Sequence, residues 1–174
     1  MSLPHSILRP VPASAVYAAE DQWSAVLDRG GSVDFFGSRL DVSAQRRFGD
    51  IDSIRRYVEA VVALPAVVAR YPAVGPVTVR ERAGQSKAHY EAQTSTIAIP
   101  MKSTWAARES VILHEVAHHL VGSSKQSTST RHQWHGVGFR QAMCLLAQAV
   151  LGSEAALLLR AGYEEAGLRT VEPT

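Results

Sequence analysis

Apolar side chains recur at helical spacing over five segments of the chain, and shorter segments between them alternate apolar with polar residues. The helical spacing predicts helices near residues 16–28, 51–70, 104–121, 137–151 and 153–166. Alternation, or a short apolar run bounded by Gly and Pro, predicts strands near residues 33–36, 40–42, 77–80, 88–91 and 96–99. We therefore expect an α+β protein in which the last three of these strands form a small, mostly antiparallel sheet that packs against several helices.

The second predicted helix has clear boundary signals. Asp50 or Asp52 is suited to cap its start, because an acidic side chain accepts the free N–H groups of a first turn. Pro65 is expected to kink or divide this helix, since proline lacks the N–H that a helix interior needs. The Tyr71-Pro72 step is expected to end it.

Length and composition indicate one domain. The 174 residues are 46% hydrophobic and 20% charged, which is close to the average for a globular domain. We assign residues 1–15 to a proline-rich extended arm, residues 16–168 to the domain and residues 169–174 to a frayed tail.

Charge and cysteine content limit the classes of partner. The net charge of +2 is too small to indicate a polyanion as a partner. A denser basic region comprises Arg39, Arg46, Arg47, Arg55 and Arg56. Because aspartates interleave with it, we interpret this region as a solvated face, not a nucleic-acid surface. The single cysteine, Cys144, excludes an intrachain disulfide, and no apolar stretch approaches the ~20 residues of a membrane span. The N-terminus is broken by prolines and lacks a basic start, so we expect a cytoplasmic protein.

Residues 111–122, VILHEVAHHLVG, place three histidines and one glutamate in an otherwise apolar helical run. Burying ionisable groups is costly unless they are paired or coordinate a metal. His114, Glu115 and His118 fit the pattern H-E-x-x-H, in which two histidines lie about 40° apart around a helix and one turn apart along it. Both imidazoles can then reach one ion, and the carboxylate beside them can take a proton from metal-bound water. The motif therefore predicts a zinc site.

A catalytic zinc ion usually has three protein ligands, so a third must come from elsewhere. Five of the seven histidines lie within 22 residues, at positions 114, 118, 119, 132 and 135. The metzincin continuation is excluded, because Val121 and Ser124 stand where that class has glycine and histidine. Glu154 on a later helix is one candidate. We prefer His135, since Gly136 after it lets the backbone come close at the start of a predicted helix.

The two-part pattern HEVAHH and, seventeen residues after His118, HGVGFRQAM resembles the SprT-like zinc metallopeptidases. In that family the third zinc histidine stands in a similar H-G-x-x-F/W segment that opens a helix. The chain is more similar still to a family of small actinobacterial HExxH metallohydrolases. The resemblance covers about residues 88–145 and implies a zincin-like fold. In such a fold the edge strand of a small sheet, here within residues 88–99, borders the cleft in front of the HExxH helix.

The same resemblance implies that His114, His118 and His135 bind Zn²⁺ and that Glu115 is the general base. The chain departs from the SprT-like pattern because it lacks the zinc-ribbon cysteines after the catalytic core. Residues 1–75 match no pattern of that family.

These residues together predict a zinc-dependent hydrolase, most specifically a peptidase that acts on peptide or protein substrates. Tyr90 and His89, on the predicted cleft strand, are candidates for stabilising an oxyanion. His132, in the polar loop, is a candidate for substrate contact. We expect His119 at the surface or behind the zinc ligands, because it points about 100° away from His118 around the helix.

Two other functions stay open at the level of sequence. A binding or regulatory module without catalysis would hold structural zinc, closed by a fourth ligand such as His132 or His119. A DNA-associated protease is suggested by the SprT-like resemblance, but the near-neutral charge gives no strong nucleic-acid signal. The sequence indicates neither an oligomeric state nor a specificity pocket.

Overall fold

The computed structural model describes residues 12–84, 87–123 and 134–171. The helices are α1 (Ala13–Arg29), α2 (Ile51–Val62), α3 (Pro65–Arg70), α4 (Glu109–Gly122), α5 (Val137–Leu146) and α6 (Ser153–Glu165). The strands are β1 (Gly31–Phe35), β2 (Ser38–Val42), β3 (Thr78–Glu81), β4 (His89–Glu91) and β5 (Thr96–Ile99). A short π-helical segment, Ala147–Leu151, continues α5. Among these helices none combines the length and the apolar character that crossing a membrane requires.

The three strands that the sequence predicts to pair do form one sheet, but this sheet is mixed rather than mostly antiparallel, and a second small sheet is present. Strands β1 and β2 pair only with each other, as an antiparallel hairpin. The second sheet has the order β3-β5-β4, with β3 parallel to β5 and β4 antiparallel to it. The tight turn between β4 and β5 fixes their antiparallel pairing, so β3 is left with the other side of β5. The fully buried run of β5 makes it the central strand, as expected for a strand covered on both faces.

The turn of the β1–β2 hairpin explains where the two predicted strand pieces meet. Phe36 and Gly37 have φ values of 50° and 79°, so both residues adopt the left-handed conformation of a tight hairpin turn. Glycine adopts this conformation at little steric cost because it has no side chain. Phe36 adopts it at a turn where its own side chain is exposed to solvent.

Helix α4 is the centre of the structure. Eleven of its fourteen residues are buried, including the motif residues His114, Glu115 and His118. It packs against α5, α2 and β4. A helix that is apolar and buried on nearly all sides belongs to a core. Consequently the motif lies inside the protein, and the elements packed around α4 determine which motif side chains are accessible to solvent.

Helix α1 begins inside the segment that the sequence assigned to an extended arm. Its first residue is Ala13, and Pro12 precedes it with φ −66° and ψ 135°. Proline interrupts helix interiors but is compatible with a helix start, because its fixed φ suits that position. Residues 1–11 of the predicted arm lie outside the described residues.

The start of α4 is anchored by buried polar contacts. The carboxylate of Glu109 accepts hydrogen bonds from the Tyr57 hydroxyl and the Arg46 amide, each at 2.8 Å. The Gln45 amide group donates to the Ser24 carbonyl of α1 at 3.0 Å, and its oxygen accepts from the Ser110 amide of α4 at 3.0 Å. The chain at residues 45–46 therefore links α1, α2 and α4.

The basic region between residues 39 and 56 is largely neutralised by acidic side chains. Arg47 pairs with Asp28 at 3.0 Å, Arg55 pairs with Asp52, and Arg39 lies near Asp41. Asp50, rather than Asp52, caps α2 by accepting the Ser53 amide at 2.7 Å. This pairing agrees with the interpretation of the region as a solvated face.

The predicted frayed tail is partly fixed to the domain. Arg140 donates from Nε to the Arg169 carbonyl at 2.7 Å, and Thr170 is buried. A buried arginine needs acceptors for its rigid set of donors, and the backbone after α6 supplies one. Residues 172–174 lie outside the described part of the chain.

The contact of Trp23 with α6 generates a stability prediction. The buried Trp23 indole donates from Nε1 to the Ala155 carbonyl at 2.9 Å. Trp23→Phe removes this hydrogen bond and part of the ring, so we expect it to lower the free energy of unfolding by about 1–3 kcal/mol in urea. Val68→Ala, at a half-exposed position, is the control, with an expected change below about 0.5 kcal/mol. Equal losses in both variants would contradict a structural role for the Trp23 contact.

Candidate metal centre

Three imidazole nitrogens converge at one point between α4 and the start of α5. The Nε2 atom of His118 lies 3.2 Å from Nε2 of His114, and Nε2 of His135 lies 3.3 Å from the same atom. The three ligand atoms all lie within 4.8 Å of one another. The structure thus brings together the three residues that the sequence predicts as metal ligands.

The spacing of these nitrogens fits a tetrahedral zinc site. With Zn–N distances of about 2.0–2.1 Å, tetrahedral geometry places two nitrogen ligands roughly 3.3–3.4 Å apart. The two distances to His114 Nε2 match this value closely. Without a cation, the single lone pair of that nitrogen would face both other Nε2 atoms. A cation accepts all three lone pairs at once, so the donor set suits Zn²⁺.

Packing and backbone geometry place His135 opposite α4. It precedes Gly136, whose extended backbone lets α5 begin at Val137. Arg140 donates from a terminal nitrogen to the His135 carbonyl at 2.6 Å. The ring of Phe139 lies 4.5–4.9 Å from the rings of all three histidines, measured between ring centres. Phe139 therefore supports the cluster from the apolar side.

Glu20 of α1 holds His114 in orientation. Its Oε2 atom lies 2.5 Å from His114 Nδ1, and its Oε1 atom accepts a hydrogen bond from the Tyr163 hydroxyl of α6 at 2.5 Å. All three side chains are buried. Because Nδ1–H donates to this carboxylate, the neutral form of the His114 ring carries its lone pair on Nε2, the atom that lies near the other two histidines. Such a carboxylate partner fixes the tautomer and raises the basicity of a metal-binding histidine.

The sequence reasoning missed Glu20, although it expected an acidic partner for a zinc histidine. The carboxylate is 94 positions from His114, so spacing could not connect the two residues. One signal was available. Glu20 lies on the same face of α1 as Val16, Trp23 and Leu27, which form the buried stripe of that helix. An acidic residue within such a stripe needs a buried partner.

Tyr17, also on α1, was missed for the same reason. Its ring stacks on His114 with 5.3 Å between ring centres, and its edge meets His135 at 5.0 Å. Burial raises the Tyr17 pKa, and the nearby carboxylates of Glu115 and Glu20 raise it further. The phenol therefore stays protonated at neutral pH.

Burial and mutual repulsion control the protonation of the three histidines. Burial lowers the pKa of His118 to about 2 and that of His135 to about 4, and in both cases the His114 charge contributes to the lowering. Burial, the largest single influence, opposes the charged form of His114, but the Glu20 carboxylate, its hydrogen bond and the Glu115 carboxylate together outweigh it, so the pKa of His114 is raised. His118 and His135 are consequently neutral at pH 7, the form that binds metals.

Glu115 lies beside the cluster at a cleft. Burial raises the pKa of Glu115 to about 7, although the His114 charge and a hydrogen bond from the Tyr90 backbone act to lower it. A bound cation would lower this pKa, because a nearby positive charge favours the carboxylate. Glu115, His114 and Glu20 line a cleft of about 230 Å³ that also touches Trp105 and Val111. A carboxylate with a pKa near neutrality is suited to accept and release protons.

Tyr90 and His89, two further predicted site residues, make contacts with groups other than the three nitrogens. The Tyr90 hydroxyl lies 3.1 Å from His119 Nδ1, although its backbone contacts Glu115. His89 lies on the outer side of β4, between Arg82 at 2.9 Å and Glu91 at 3.2 Å.

His119 and Glu154, two alternative metal ligands suggested by the sequence, form hydrogen bonds with groups outside the histidine cluster. His119 is fully buried rather than at the surface, and its Nε2 lies 3.0 Å from the Gly75 carbonyl. Glu154 accepts a hydrogen bond from Ser153 at the start of α6. His132 lies outside the described residues.

The Glu20–His114 contact predicts an effect on metal affinity. Glu20→Gln replaces a charged acceptor with a neutral one, so we expect zinc affinity to fall about 10–100-fold in competition with a chromophoric chelator. Asp21→Asn removes the same charge from the exposed neighbouring position and should change the affinity less than about threefold. Equal losses in the two variants would show that total charge, and not the contact, governs affinity.

The position of His135 predicts its role as the third ligand. His135→Ala leaves two imidazoles, so zinc that stays bound to the unchanged protein should be lost on dialysis against a weak chelator. His89→Ala removes an imidazole that contacts Arg82 and Glu91, and it should keep one zinc ion per chain. The measurement is zinc content after dialysis, with circular dichroism to verify folding. Full retention by His135→Ala would eliminate His135 as a ligand.

Comparisons of the chain with protein-family models, with curated proteins and with solved structures found no match. The resemblance to the SprT-like metallopeptidases therefore stays a prediction from two short motifs.

Proposed function

We propose that this protein is a zinc-dependent hydrolase and that its substrates are peptides or proteins. The observation that carries the proposal is the convergence of three histidine Nε2 atoms, one of which belongs to His114, a residue that lines a cleft together with Glu115. Three protein nitrogens are the usual ligand set of a catalytic zinc ion, which keeps its fourth position for water or substrate.

The residues in and around the histidine cluster have separate roles in the proposed reaction. His114, His118 and His135 would hold Zn²⁺, which would supply the acidification of a water molecule and the polarisation of a substrate carbonyl. Glu115 takes the proton of the attacking water and passes it to the leaving amine. Glu20 keeps the His114 ring in the orientation that presents Nε2. Phe139 excludes water from the apolar side of the three rings.

Two observations favour a catalytic site over a structural one. First, a structural site closes with a fourth side chain, and His119, one candidate for that role, contacts Gly75 and Tyr90 instead. Secondly, Glu115 is a buried carboxylate at the cleft wall, and a closed structural site has no use for it. The second predicted candidate for a fourth ligand, His132, lies outside the described residues.

The position of β4 favours a peptide as the substrate. It is an edge strand of the β3-β5-β4 sheet and packs against α4. The Tyr90 amide on this strand donates toward Glu115, so one edge of β4 faces the reacting groups. An edge strand can bind an extended peptide by main-chain hydrogen bonds, which would bring an amide bond alongside the cleft. No comparable observation among the described residues favours DNA, because the basic region is paired with acids.

The assignment of Glu115 gives a direct test of the hydrolase. Glu115→Gln keeps the three nitrogens but removes the proton acceptor, so we expect normal zinc content and a loss of about 10²–10⁴-fold in the rate of peptide hydrolysis. The assay follows cleavage of a mixed peptide digest by mass spectrometry. Glu81→Gln, at an exposed position on β3, is the control and should retain full activity.

Two results would contradict the proposal in different ways. Full activity in Glu115→Gln would reject this residue as the base. A zinc-loaded protein that cleaves none of the peptides would reject peptide hydrolysis itself.

A further inference from the structure

The cleft beside Glu115 has two cationic side chains in its wall. Lys87 approaches from the segment before β4, and Arg108 approaches from the residue before α4. Trp105 and Val111 contribute apolar surface to the same cleft. A cleft that combines apolar walls with a few placed charges is typical of a selective ligand site.

Lys87 is held close to the metal centre. Its ammonium nitrogen lies 4.2 Å from the centre of the Tyr17 ring, a distance at which a cation is attracted to the ring face. The Tyr17 ring centre is in turn 5.3 Å from that of His114. The ammonium and the His114 imidazole are therefore separated by no more than the sum of these two distances. Within the described residues, no carboxylate forms an ion pair with Lys87.

Arg108 has hydrogen-bonding capacity that the rest of the described chain does not use. One terminal nitrogen pairs with Asp28 at 3.0 Å, but Asp28 also pairs with Arg47 at 3.0 Å. The Nε atom of Arg108 is buried, and no acceptor among the described residues pairs with it. A buried donor without an acceptor is unfavourable, so the contacts of the described chain leave the Arg108 guanidinium incompletely hydrogen-bonded.

The acidic groups of the same cleft are mostly engaged. Both oxygens of Glu20 contact His114 and Tyr163, and Glu115 is the proposed proton acceptor. Asp21, at an exposed position, is the remaining acid of the cleft wall. Arg108 shares the Asp28 carboxylate with Arg47, and no carboxylate among the described residues forms an ion pair with Lys87, so the protein balances the positive charge of Lys87 and Arg108 only in part.

We propose that this cleft binds a carboxylate of the substrate through Lys87 and Arg108, close to the bond that is cleaved. The inference rests on the proposed hydrolase function and adds a substrate class to it. Because each residue of an extended peptide spans about 3.3–3.6 Å, the carboxylate belongs within roughly two residues of the scissile bond. It comes either from an acidic side chain or from the C-terminus of the peptide.

The experiment compares cleavage and binding with one set of peptides. A randomised pentapeptide mixture is prepared with free C-termini and, separately, with C-terminal amides. Zinc-loaded protein is incubated with each mixture, and mass spectrometry locates the cleaved bonds. In parallel, zinc-loaded Glu115→Gln is used to retain peptides without cleaving them, and the retained peptides are sequenced.

We expect cleaved and retained peptides to be enriched in a carboxylate within two residues of the cleaved bond. Lys87→Gln should reduce the preference for acidic over neutral peptides by about fivefold, which is the effect of a partly exposed ion pair. Lys102→Gln removes the same charge at an exposed position outside the cleft wall and should leave the preference unchanged. Enrichment limited to free C-termini identifies a terminal carboxylate, whereas enrichment in both mixtures identifies Asp and Glu side chains.

The other outcomes overturn the inference in distinguishable ways. Cleavage without acidic enrichment, or with a preference that Lys87→Gln does not alter, overturns carboxylate recognition and leaves the hydrolase intact. Enrichment of Lys and Arg would show that Asp21 determines selection and would also overturn it. Absence of any cleavage by the unchanged protein rejects the hydrolase, and the carboxylate proposal fails with it.

Discussion

The convergence of three Nε2 atoms, from His114, His118 and His135, is the interaction on which the rest of the interpretation depends. The buried imidazoles of His114 and His118 and the half-buried imidazole of His135 place ring nitrogens at one point, and lone pairs directed there repel one another unless something positive lies between them. Aromatic packing from Phe139 and Tyr17 constrains the rings but cannot neutralise this repulsion. A divalent cation resolves the conflict, and so the same geometry that is unfavourable by itself becomes a reason to expect a metal.

Several helices contribute residues to the histidine cluster. The orientation of the His114 ring depends on residues that are far from the H-E-x-x-H motif in the sequence. Glu20 of α1 connects the His114 ring to Tyr163 of α6, across separations of 94 and 143 positions in the chain. The Trp23 contact with Ala155 fixes the same pair of helices. Consequently the packing of α1 on α6 supports both the stability of the fold and the direction in which His114 presents its nitrogen. Substitutions between these helices should therefore affect metal binding without touching a ligand.

Local signals predicted the elements better than their arrangement. Periodicity identified the five strands and the main helices, and Pro65 divides α2 from α3 as expected. The arrangement of the strands into sheets was harder to predict, because strand pairing depends on which strand becomes central. The buried strand β5 pairs with both β3 and β4, whereas the β1–β2 hairpin forms a separate sheet. Helix α1 also begins earlier than predicted, since Pro12 is compatible with a helix start.

The sequence by itself determined the spacing of His114, Glu115 and His118, because a helix converts positions four apart into neighbours on one face. It also singled out His135 through the glycine that follows it. Only the tertiary structure decided that His135 reaches the same point, that Glu20 and Tyr17 of α1 cover His114, and that Lys87 and Arg108 share a cleft with Glu115. The physical reason is that these contacts join side chains from separate elements, whose approach depends on the packing of the whole core rather than on any local pattern.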